Sequence, residues 1–369
     1  MRFQPFPERE SAHALPGIVR SRYADAGQCR VMARHTGLID FLELLNSAQG
    51  VQCQFVFTSV LIFDRNTIAY THTEMHKLNM INTERAGGFL AAPHQYADLE
   101  GLRIGYRDYG EGPVLVMLHG WPLNGDTFAS VVDAIATQCR CIVPDLPGAG
   151  MTRWSTHHDL SPVGQARLIQ ALLAALNITD YSLLGNDSGG MVARYLAGGR
   201  ESPVNKLVLL NTEIPRHRAP YQRLYKCLAR WLPGYSAIAR IQLKFDAYLR
   251  SRQGFGGTLY NHQHLLGSFN RRFILPLTRS RQRMNEATLS FVAMLNWPQL
   301  DELRYVHERI QAPTLFIWGR QDDTFPEARA VEMSRSFKKL AGFISIDKAK
   351  LYVHEDQPEQ VAQHLSAFL

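Results

Sequence analysis

Residues 181–190, with the sequence YSLLGNDSGG, constrain the fold of this chain more than any other feature. An apolar run ends at Leu184 and an apolar helical stripe begins at Met191, so the residues between them must turn sharply from a strand into a helix. Gly185 and Gly189 flank the centre of the turn, where a side chain would collide with neighbouring backbone. The sequence therefore predicts a tight strand-to-helix bend that displays one central side chain.

Asp187 stands at the centre of this bend and is the candidate nucleophile. A carboxylate is already ionised near neutral pH, so it attacks a carbon without a base to deprotonate it. A second register puts Ser188 at the apex between Asn186 and Gly190, but the strand must then run one residue further. We favour Asp187 and keep Ser188 as the alternative. An ordinary glycine-rich turn without a catalytic role is the remaining interpretation.

The composition is that of a large globular protein, with 369 residues of which 46% are hydrophobic. No apolar run reaches the roughly 20 residues that a membrane-spanning helix needs, and the N-terminus lacks the residue order of a signal peptide. The five cysteines show no metal-like spacing, and their odd number argues against a disulfide framework. We therefore expect a cytoplasmic protein without an integral membrane segment.

The net charge of +7 is concentrated between Glu213 and Leu300, where 14 Arg and Lys residues face three acids. Such a block could favour an anionic substrate or an acidic surface, but we prefer the simpler explanation that these residues form solvated helix faces. No basic repeat interleaved with aromatic residues appears, so we expect a small-molecule substrate and no nucleic-acid partner. The glycine-rich run at residues 254–257 follows no predicted strand, so we expect no cofactor. The spacing of the histidines singles out no metal site, so we expect no metal. The sequence leaves the oligomeric state open.

From residue 94 onward, strand patterns alternate with helix patterns, which predicts an α/β fold with a mostly parallel sheet flanked by helices. The predicted strands are residues 95–99, 102–106, 114–118, 140–143, 181–184, 207–210, 314–318 and 343–346. The predicted helices are residues 162–176, 188–198, 326–337 and 358–368.

The alternation stops at residues 214–300, where Tyr221, Leu224 and Leu228 fall on one helical stripe. This pattern predicts a helical cap inserted into a core of residues 93–213 and 301–369. Residues 1–92 show no repeat and only weak periodicity, and we expect a poorly ordered N-terminal extension of unknown fold. One hypothesis is that the functional protein begins near the end of that extension.

Four short motifs follow predicted strands or precede the last predicted helix. They are HGWP at residues 119–122, GNDSG at 185–189, GRQD at 319–322 and HEDQP at 354–358. In this order and spacing, the chain over residues 94–369 resembles the α/β-hydrolase fold family. Within it, the chain is similar to the branch with an aspartate nucleophile, which contains haloalkane dehalogenases, epoxide hydrolases and fluoroacetate dehalogenases.

The resemblance implies an eight-stranded sheet and a role for several residues. The backbone N–H groups of Trp121 and Ser188 are expected to form an oxyanion hole, which stabilises charge when an ester on Asp187 is hydrolysed. Asp322 takes the position of the acid that orients a catalytic histidine. Glu213, after the sixth strand, is the second choice for that acid.

The position of the base departs from the family pattern. The catalytic histidine of the family stands seven residues before the proline that opens the last helix, and in this chain that position is Leu351. His354 follows three residues later and is the candidate replacement. A helical turn would put the two side chains on one face, whereas an extended segment would point them in opposite directions.

The expected activity is hydrolysis of an organic halide or epoxide through an alkyl-enzyme ester on Asp187. Opening an epoxide also needs an acid, for which the tyrosines of the predicted cap are candidates: Tyr221, Tyr225, Tyr235, Tyr248 and Tyr260. Ser188 replaces the tryptophan that binds halide in many haloalkane dehalogenases. This replacement weakens the hypothesis of a halide substrate. The alternatives are a catalytically silenced ligand-binding protein and a serine-type esterase that uses Ser188.

Overall fold

The computed structural model of the chain describes residues 88–99, 101–232 and 234–369. All of them belong to one compact unit. The predicted N-terminal extension therefore lies, up to residue 87, outside the described residues. Within the described residues, no helix is both long and apolar enough to cross a membrane.

Eight strands form one mixed, mostly parallel sheet in the order β1-β2-β4-β3-β5-β6-β7-β8. The pairs β1/β2 and β2/β4 are antiparallel, and all other neighbours are parallel. This confirms the predicted fold class and all eight predicted strands. Their bounds are β1 Gln95–Leu99, β2 Leu102–Tyr109, β3 Val114–Leu118, β4 Arg140–Pro144, β5 Tyr181–Gly185, β6 Val204–Leu210, β7 Thr314–Gly319 and β8 Leu340–Ile346.

Five longer helices flank the sheet, four of them at predicted positions. They are α2 Pro162–Ala175, α3 Ser188–Ala197, α10 Trp297–His307, α11 Glu327–Ser334 and α13 Pro358–Phe368. Shorter helical segments are α1 Ala129–Ile135, α12 Val353–Asp356 and the 3₁₀ turns Phe89–Ala91 and Gly125–Phe128. The first turns of α2 and α13 contain proline, whose fixed φ angle suits a helix start.

The sheet is buried on both faces. Val116 and Leu118 of β3 belong to one hydrophobic cluster, whereas Leu115 and Met117 belong to the other. Because parallel strands covered on both sides need apolar residues at every position, the strand sequences are continuous apolar runs rather than alternating patterns.

Helices replace strands between β6 and β7, as predicted. This helical insertion, residues 214–300, contains α4 Pro220–Trp231, α5 Tyr235–Gln242, α6 Asp246–Arg250, α7 His262–His264, the π-helical segment Leu265–Ile274, α8 Leu275–Arg279 and α9 Arg281–Met294. The next helix, α10, packs against α3, where the hydroxyl of Tyr195 donates a 2.7 Å hydrogen bond to the carbonyl of Gln299. The start of α10 therefore belongs to the layer that covers the sheet.

Candidate active site

The bend between β5 and α3 holds Asp187 in an unusual backbone conformation, with φ 47° and ψ −130°. A residue other than glycine with positive φ carries strain of about 1–3 kcal/mol. The N–H of Asp187 donates to the carbonyl of Asn211 at 2.7 Å, and its own carbonyl accepts from the N–H of Gly190 at 2.8 Å. These bonds on both sides of the residue keep the strained conformation in place.

Glycines allow the bend to fit against the end of β3. A Cβ atom on Gly189 would lie 2.2 Å from the carbonyl oxygen of Leu118, and one on Gly120 would lie 2.5 Å from the Cβ of Asp187. Real Cβ atoms do not approach other atoms so closely. The collision expected at Gly185 is also present, since its Cβ would lie 2.7 Å from the carbonyl oxygen of Gly189.

The carboxyl group of Asp187 contacts the backbone amide expected of an oxyanion hole. The N–H of Trp121 lies 2.9 Å from Asp187 Oδ2 and 3.1 Å from Oγ of Ser188. Burial raises the pKa of Asp187 to about 6, although hydrogen bonds from the backbone amides of Ser188 and Trp121 act in the opposite direction. Above that pH the group is a carboxylate, and a carboxylate oxygen is able to attack a carbon.

Asp187 faces a cavity of about 150 Å³ between the strand ends and the helical insertion. An apolar cavity of this volume holds a molecule about the size of benzene. Its apolar lining comes from both parts of the chain: Trp121, Ala239, Leu243, Phe255, Phe291, Met294, Leu295 and Leu351. Its acidic lining residues are Asp187, Glu213 and Asp323.

Four of the five candidate tyrosines line this cavity, namely Tyr221, Tyr225, Tyr235 and Tyr248. Tyr225 donates to the carbonyl of Gln253 at 3.0 Å, and Tyr221 shares a hydrogen bond with the hydroxyl of Thr324. The hydroxyl of Tyr235 has no hydrogen-bond partner among the described residues. Burial raises the pKa of all four phenols. Tyr260 lies outside the cavity lining and is 46% exposed.

Asp322 lies beside an amide side chain rather than an imidazole. Its Oδ2 accepts a 2.8 Å hydrogen bond from Asn211 Nδ2, and its Oδ1 accepts a 2.7 Å bond from the N–H of Thr324. Burial raises the pKa of Asp322 to about 7 against these hydrogen bonds, and the charge of Asp187 raises it further. Asp322 is buried and does not line the cavity.

Leu351 and His354 lie in different surroundings although they are three residues apart. Leu351 lines the cavity, and its carbonyl accepts a 2.9 Å hydrogen bond from Asn186 Nδ2. His354 lies in α12, but its ring packs 4.8 Å from that of Phe128 and its Nε2 lies 2.8 Å from Thr127 Oγ1. Burial lowers the pKa of His354 to about 4. The structure thus places Leu351 with Asp187 and does not bring His354 to them.

The residue after His354, Glu355, forms a buried ion-pair anchor that no sequence motif predicts. Glu355 Oε2 lies 2.7 Å from Nε2 of His264 and 2.8 Å from Nη2 of Arg272, both in the helical insertion. Its Oε1 accepts a 2.8 Å hydrogen bond from Thr127 of the core. Burial alone would raise the pKa of Glu355, but the bond from His264 and the charge of Arg272 outweigh it and lower the pKa. Glu355 therefore joins the insertion to the core.

Glu213 also lies at the cavity, three residues after the end of β6, and is 3% exposed. Burial raises its pKa to about 8, the charge of Asp187 raises it further, and the charge of Arg194 acts in the opposite direction. Among the described residues, no group of three His, Cys, Asp or Glu side chains could hold a metal ion.

Comparisons with known proteins agree with this architecture. A family model described as the alpha/beta hydrolase fold matches residues 113–358. The magnesium-chelatase 30 kDa subunit of Rhodobacter capsulatus is 26% identical over 245 residues, which are 66% of this chain and 82% of the relative. Haloalkane dehalogenase 2 of Mycobacterium tuberculosis is 25% identical over 263 residues, which are 70% of this chain and 89% of the relative. The solved structure of the epoxide hydrolase CorEH without ligand has a TM-score of 0.62 at 20% identity and covers 75% of this chain and 98% of its own.

Proposed function

The chain belongs to the alpha/beta-hydrolase fold family, and we propose that it hydrolyses a small organic epoxide or halide through an ester on Asp187. The observation that carries the proposal is the 2.9 Å contact between the N–H of Trp121 and Oδ2 of a carboxyl group that faces a cavity. In this proposal the helical insertion is the cap over the reacting carbon. The relative named haloalkane dehalogenase supports the same reaction class.

The first step is the attack of the ionised Asp187 oxygen on a carbon of the substrate. A carbon–oxygen bond to the enzyme forms as the bond to the epoxide oxygen or halide breaks. Water then attacks the carbonyl carbon of the ester, and the amides of Trp121 and Ser188 stabilise the negative charge that develops on its oxygen. Loss of the product alcohol returns the carboxylate.

The surroundings of Trp121 favour an epoxide over a halide. Its indole Nε1 donates a 2.7 Å hydrogen bond to the carbonyl of Ala287, so this N–H is not available to bind a departing halide. The residue next to the nucleophile is Ser188 and not a tryptophan, so no indole at that position binds halide either. The tyrosine hydroxyls at the cavity are instead suited to a polar oxygen. The cavity volume favours a substrate of about six to nine non-hydrogen atoms.

Release of the ester is the slow step in this proposal. The described residues that line the cavity include no histidine, and Leu351 takes the position that the family gives to the base. General-base assistance contributes about 10²–10⁴-fold to such a step. Without an imidazole, this assistance must come from a weaker base, and we therefore expect the alkyl-enzyme ester to accumulate during turnover.

Incubation with styrene oxide in ¹⁸O-labelled water, followed by intact-mass and peptide analysis, tests the proposal. We expect an adduct on the peptide that contains Asp187, and slow incorporation of ¹⁸O into its carboxyl group. Asp187→Asn should form no adduct. Asp323→Asn is the matched control, because Asp323 lines the same cavity but is exposed, and it should react like the wild type. An adduct that survives Asp187→Asn would contradict the assignment of the nucleophile.

A ligand-binding protein without turnover is the second candidate. The absence of a histidine from the described cavity lining favours it, as does the relative named as a chelatase subunit. Tight binding of cavity-sized ligands without an adduct on Asp187 would support this candidate. A serine esterase has less support, because Oγ of Ser188 contacts the N–H of Trp121 and none of the described cavity residues carries an imidazole to activate it.

A further inference from the structure

Glu213 is the buried acid that shares the cavity with Asp187. It lines the cavity, whereas the equally buried Asp322 does not. One of its oxygens, Oε2, lies 3.0 Å from Oγ1 of Thr212. The other, Oε1, accepts no hydrogen bond from another described residue. Among the described residues, the other hydrogen bond to this carboxyl group comes from the backbone N–H of Glu213 itself, so no second side chain competes with a molecule in the cavity.

The contacts of the Thr212 hydroxyl bear on the protonation state of Glu213. Its hydroxyl accepts a 3.0 Å hydrogen bond from Nη2 of Arg194 and lies 2.8 Å from the carbonyl oxygen of Asp187. That hydroxyl has one hydrogen and two neighbouring acceptors, the carbonyl oxygen of Asp187 and Oε2 of Glu213, so it donates to only one of them at a time. A neutral Glu213 satisfies both contacts at once, because it supplies the hydrogen of the second one. The geometry fits a neutral Glu213 carboxylic acid.

The balance of charge leads to the same protonation state. Arg194 is fully buried, and its guanidinium donates to neutral acceptors, including the carbonyl oxygens of Gly190 and Glu213. Its positive charge favours ionisation of Glu213, but burial and the negative charge of Asp187 outweigh it and raise the pKa of Glu213. Glu213 also interacts electrostatically with the phenol of Tyr352. Because the pKa is about 6 for Asp187 and about 8 for Glu213, the carboxylate at neutral pH is Asp187.

We infer that Glu213 carries the proton in both chemical steps, a role that rests on the proposed attack by Asp187. In the first step, Asp187 forms its bond to carbon, and Glu213 gives its proton to the epoxide oxygen as the carbon–oxygen bond of the ring breaks. In the second step, the Glu213 carboxylate takes a proton from the water that attacks the ester carbonyl. The product diol leaves, Asp187 is a carboxylate again, and Glu213 is again protonated.

The two roles follow from a change in the charge of Asp187. While Asp187 is ionised, its charge opposes ionisation of Glu213, which suits an acid. The ester has no charge, so this repulsion disappears after the first step and the pKa of Glu213 falls. Glu213 is then the acid of the first step and the base of the second. It provides a base although the described lining of the cavity contains no histidine.

Single-turnover reactions of Glu213→Gln with two matched probes test this role. Styrene oxide needs a proton on its departing oxygen, whereas benzyl bromide releases bromide without one. We expect formation of the Asp187 ester from styrene oxide to slow by about 10²–10⁴-fold, and formation of the benzyl ester to stay at the wild-type rate. Hydrolysis of both esters should slow by a similar factor. Glu332→Gln, which removes an exposed carboxylate on α11, is the control and should behave like the wild type.

The pH dependence provides a readout that a structural role would not change. Ester formation from styrene oxide should follow a bell-shaped profile with limbs near pH 6 and pH 8, since it needs ionised Asp187 and protonated Glu213. Ester formation from benzyl bromide should show only the limb near pH 6, which reflects the ionisation of Asp187. Equal losses with both probes in Glu213→Gln, or no loss with styrene oxide, would overturn the role of Glu213 while leaving Asp187 as nucleophile. A wild type that forms no ester on Asp187 would overturn both proposals.

Discussion

Oδ2 of Asp187 lies 2.9 Å from the backbone N–H of Trp121, although the two residues are 66 positions apart in the chain. The contact exists because β3 and β5 are parallel neighbours in the sheet, so the loops that follow them meet at the same edge. Gly120 makes room for it, since any side chain there would overlap Asp187. The site is thus built from backbone geometry at two adjacent strand ends.

Replacement of Gly120 should destroy this contact. The added Cβ of Gly120→Ala would lie 2.5 Å from the Cβ of Asp187 and 2.7 Å from Oδ2, so the bend must shift. We expect the variant to lose ester formation and about 1–3 kcal/mol of unfolding free energy. Gly342→Ala is the control, because its nearest neighbour would lie at an ordinary 3.4 Å. Mass analysis with styrene oxide and urea denaturation measure the two effects, and a fully active Gly120→Ala would refute the proposed geometry.

The pKa of Asp187 predicts a stability that depends on pH. The pKa rises from 3.8 to about 6 on folding, so the folded state loses stability as the pH rises through this window. Above pH 6, the unfolding free energy is lower by on the order of 3 kcal/mol because Asp187 is then ionised in the folded state. Asp187→Asn avoids this cost and should be more stable than the wild type at pH 8, with little difference at pH 4. Thermal unfolding at both pH values measures the gap, with Asp323→Asn as control. A gap that does not grow with pH would contradict a raised pKa at Asp187.

Much of the fold could be predicted because its signals are local. Each of the eight strands is a short apolar run bounded by turn residues, and the switch to helical periodicity after Glu213 located the insertion. The bend at Asp187 was recognisable because glycines at fixed offsets are a steric requirement. The ends of some elements differed, as for β2, which continues to Tyr109, and the helices α1 and α10 were not predicted.

The side-chain partners of the site could not be predicted in the same way. A helical turn over residues 351–354 would have brought His354 to the face of Leu351, but α12 begins only at Val353, and the ring of His354 packs against that of Phe128. The contacts of Glu355 with His264 and Arg272 depend on how the insertion folds back over the core. Such contacts join residues about 80 to 90 positions apart in the chain and leave no local pattern.

Introducing an imidazole at Leu351 should accelerate release of the ester. Leu351 lines the cavity with Asp187, so the ring of Leu351→His would have access to water next to the ester carbonyl. We expect hydrolysis to increase by up to about 10²-fold and to fall at pH values below the pKa of the new histidine. Leu351→Gln, which is polar but not basic, is the control. In a Glu213→Gln background the same histidine should restore part of the lost hydrolysis. A folded but inert Leu351→His would contradict the assignment of this position to the base.

The anchor at Glu355 should contribute stability that disappears in acid. The Glu355 side chain is 4% exposed and pairs with Arg272 and His264, so Glu355→Gln leaves two donors without their charged partner. Loss of one partner of a buried pair costs about 3–5 kcal/mol, and we expect about 2–3 because Arg272 is 24% exposed.

The sign of the pH effect follows from the lowered pKa of Glu355. Its stabilisation is fully present above the ordinary value of 4.5 and is lost as the pH falls through the lower value of the folded state. The wild type and Glu355→Gln should therefore differ in unfolding free energy at pH 7 and converge towards pH 3. Glu359→Gln, at an exposed position on α13, should match the wild type throughout. Proteolysis at pH 7 should cut the helical insertion of Glu355→Gln faster than that of the wild type, because His264 and Arg272 connect the insertion to the core through this carboxylate. Equal stability and equal cleavage would show that other contacts hold the insertion.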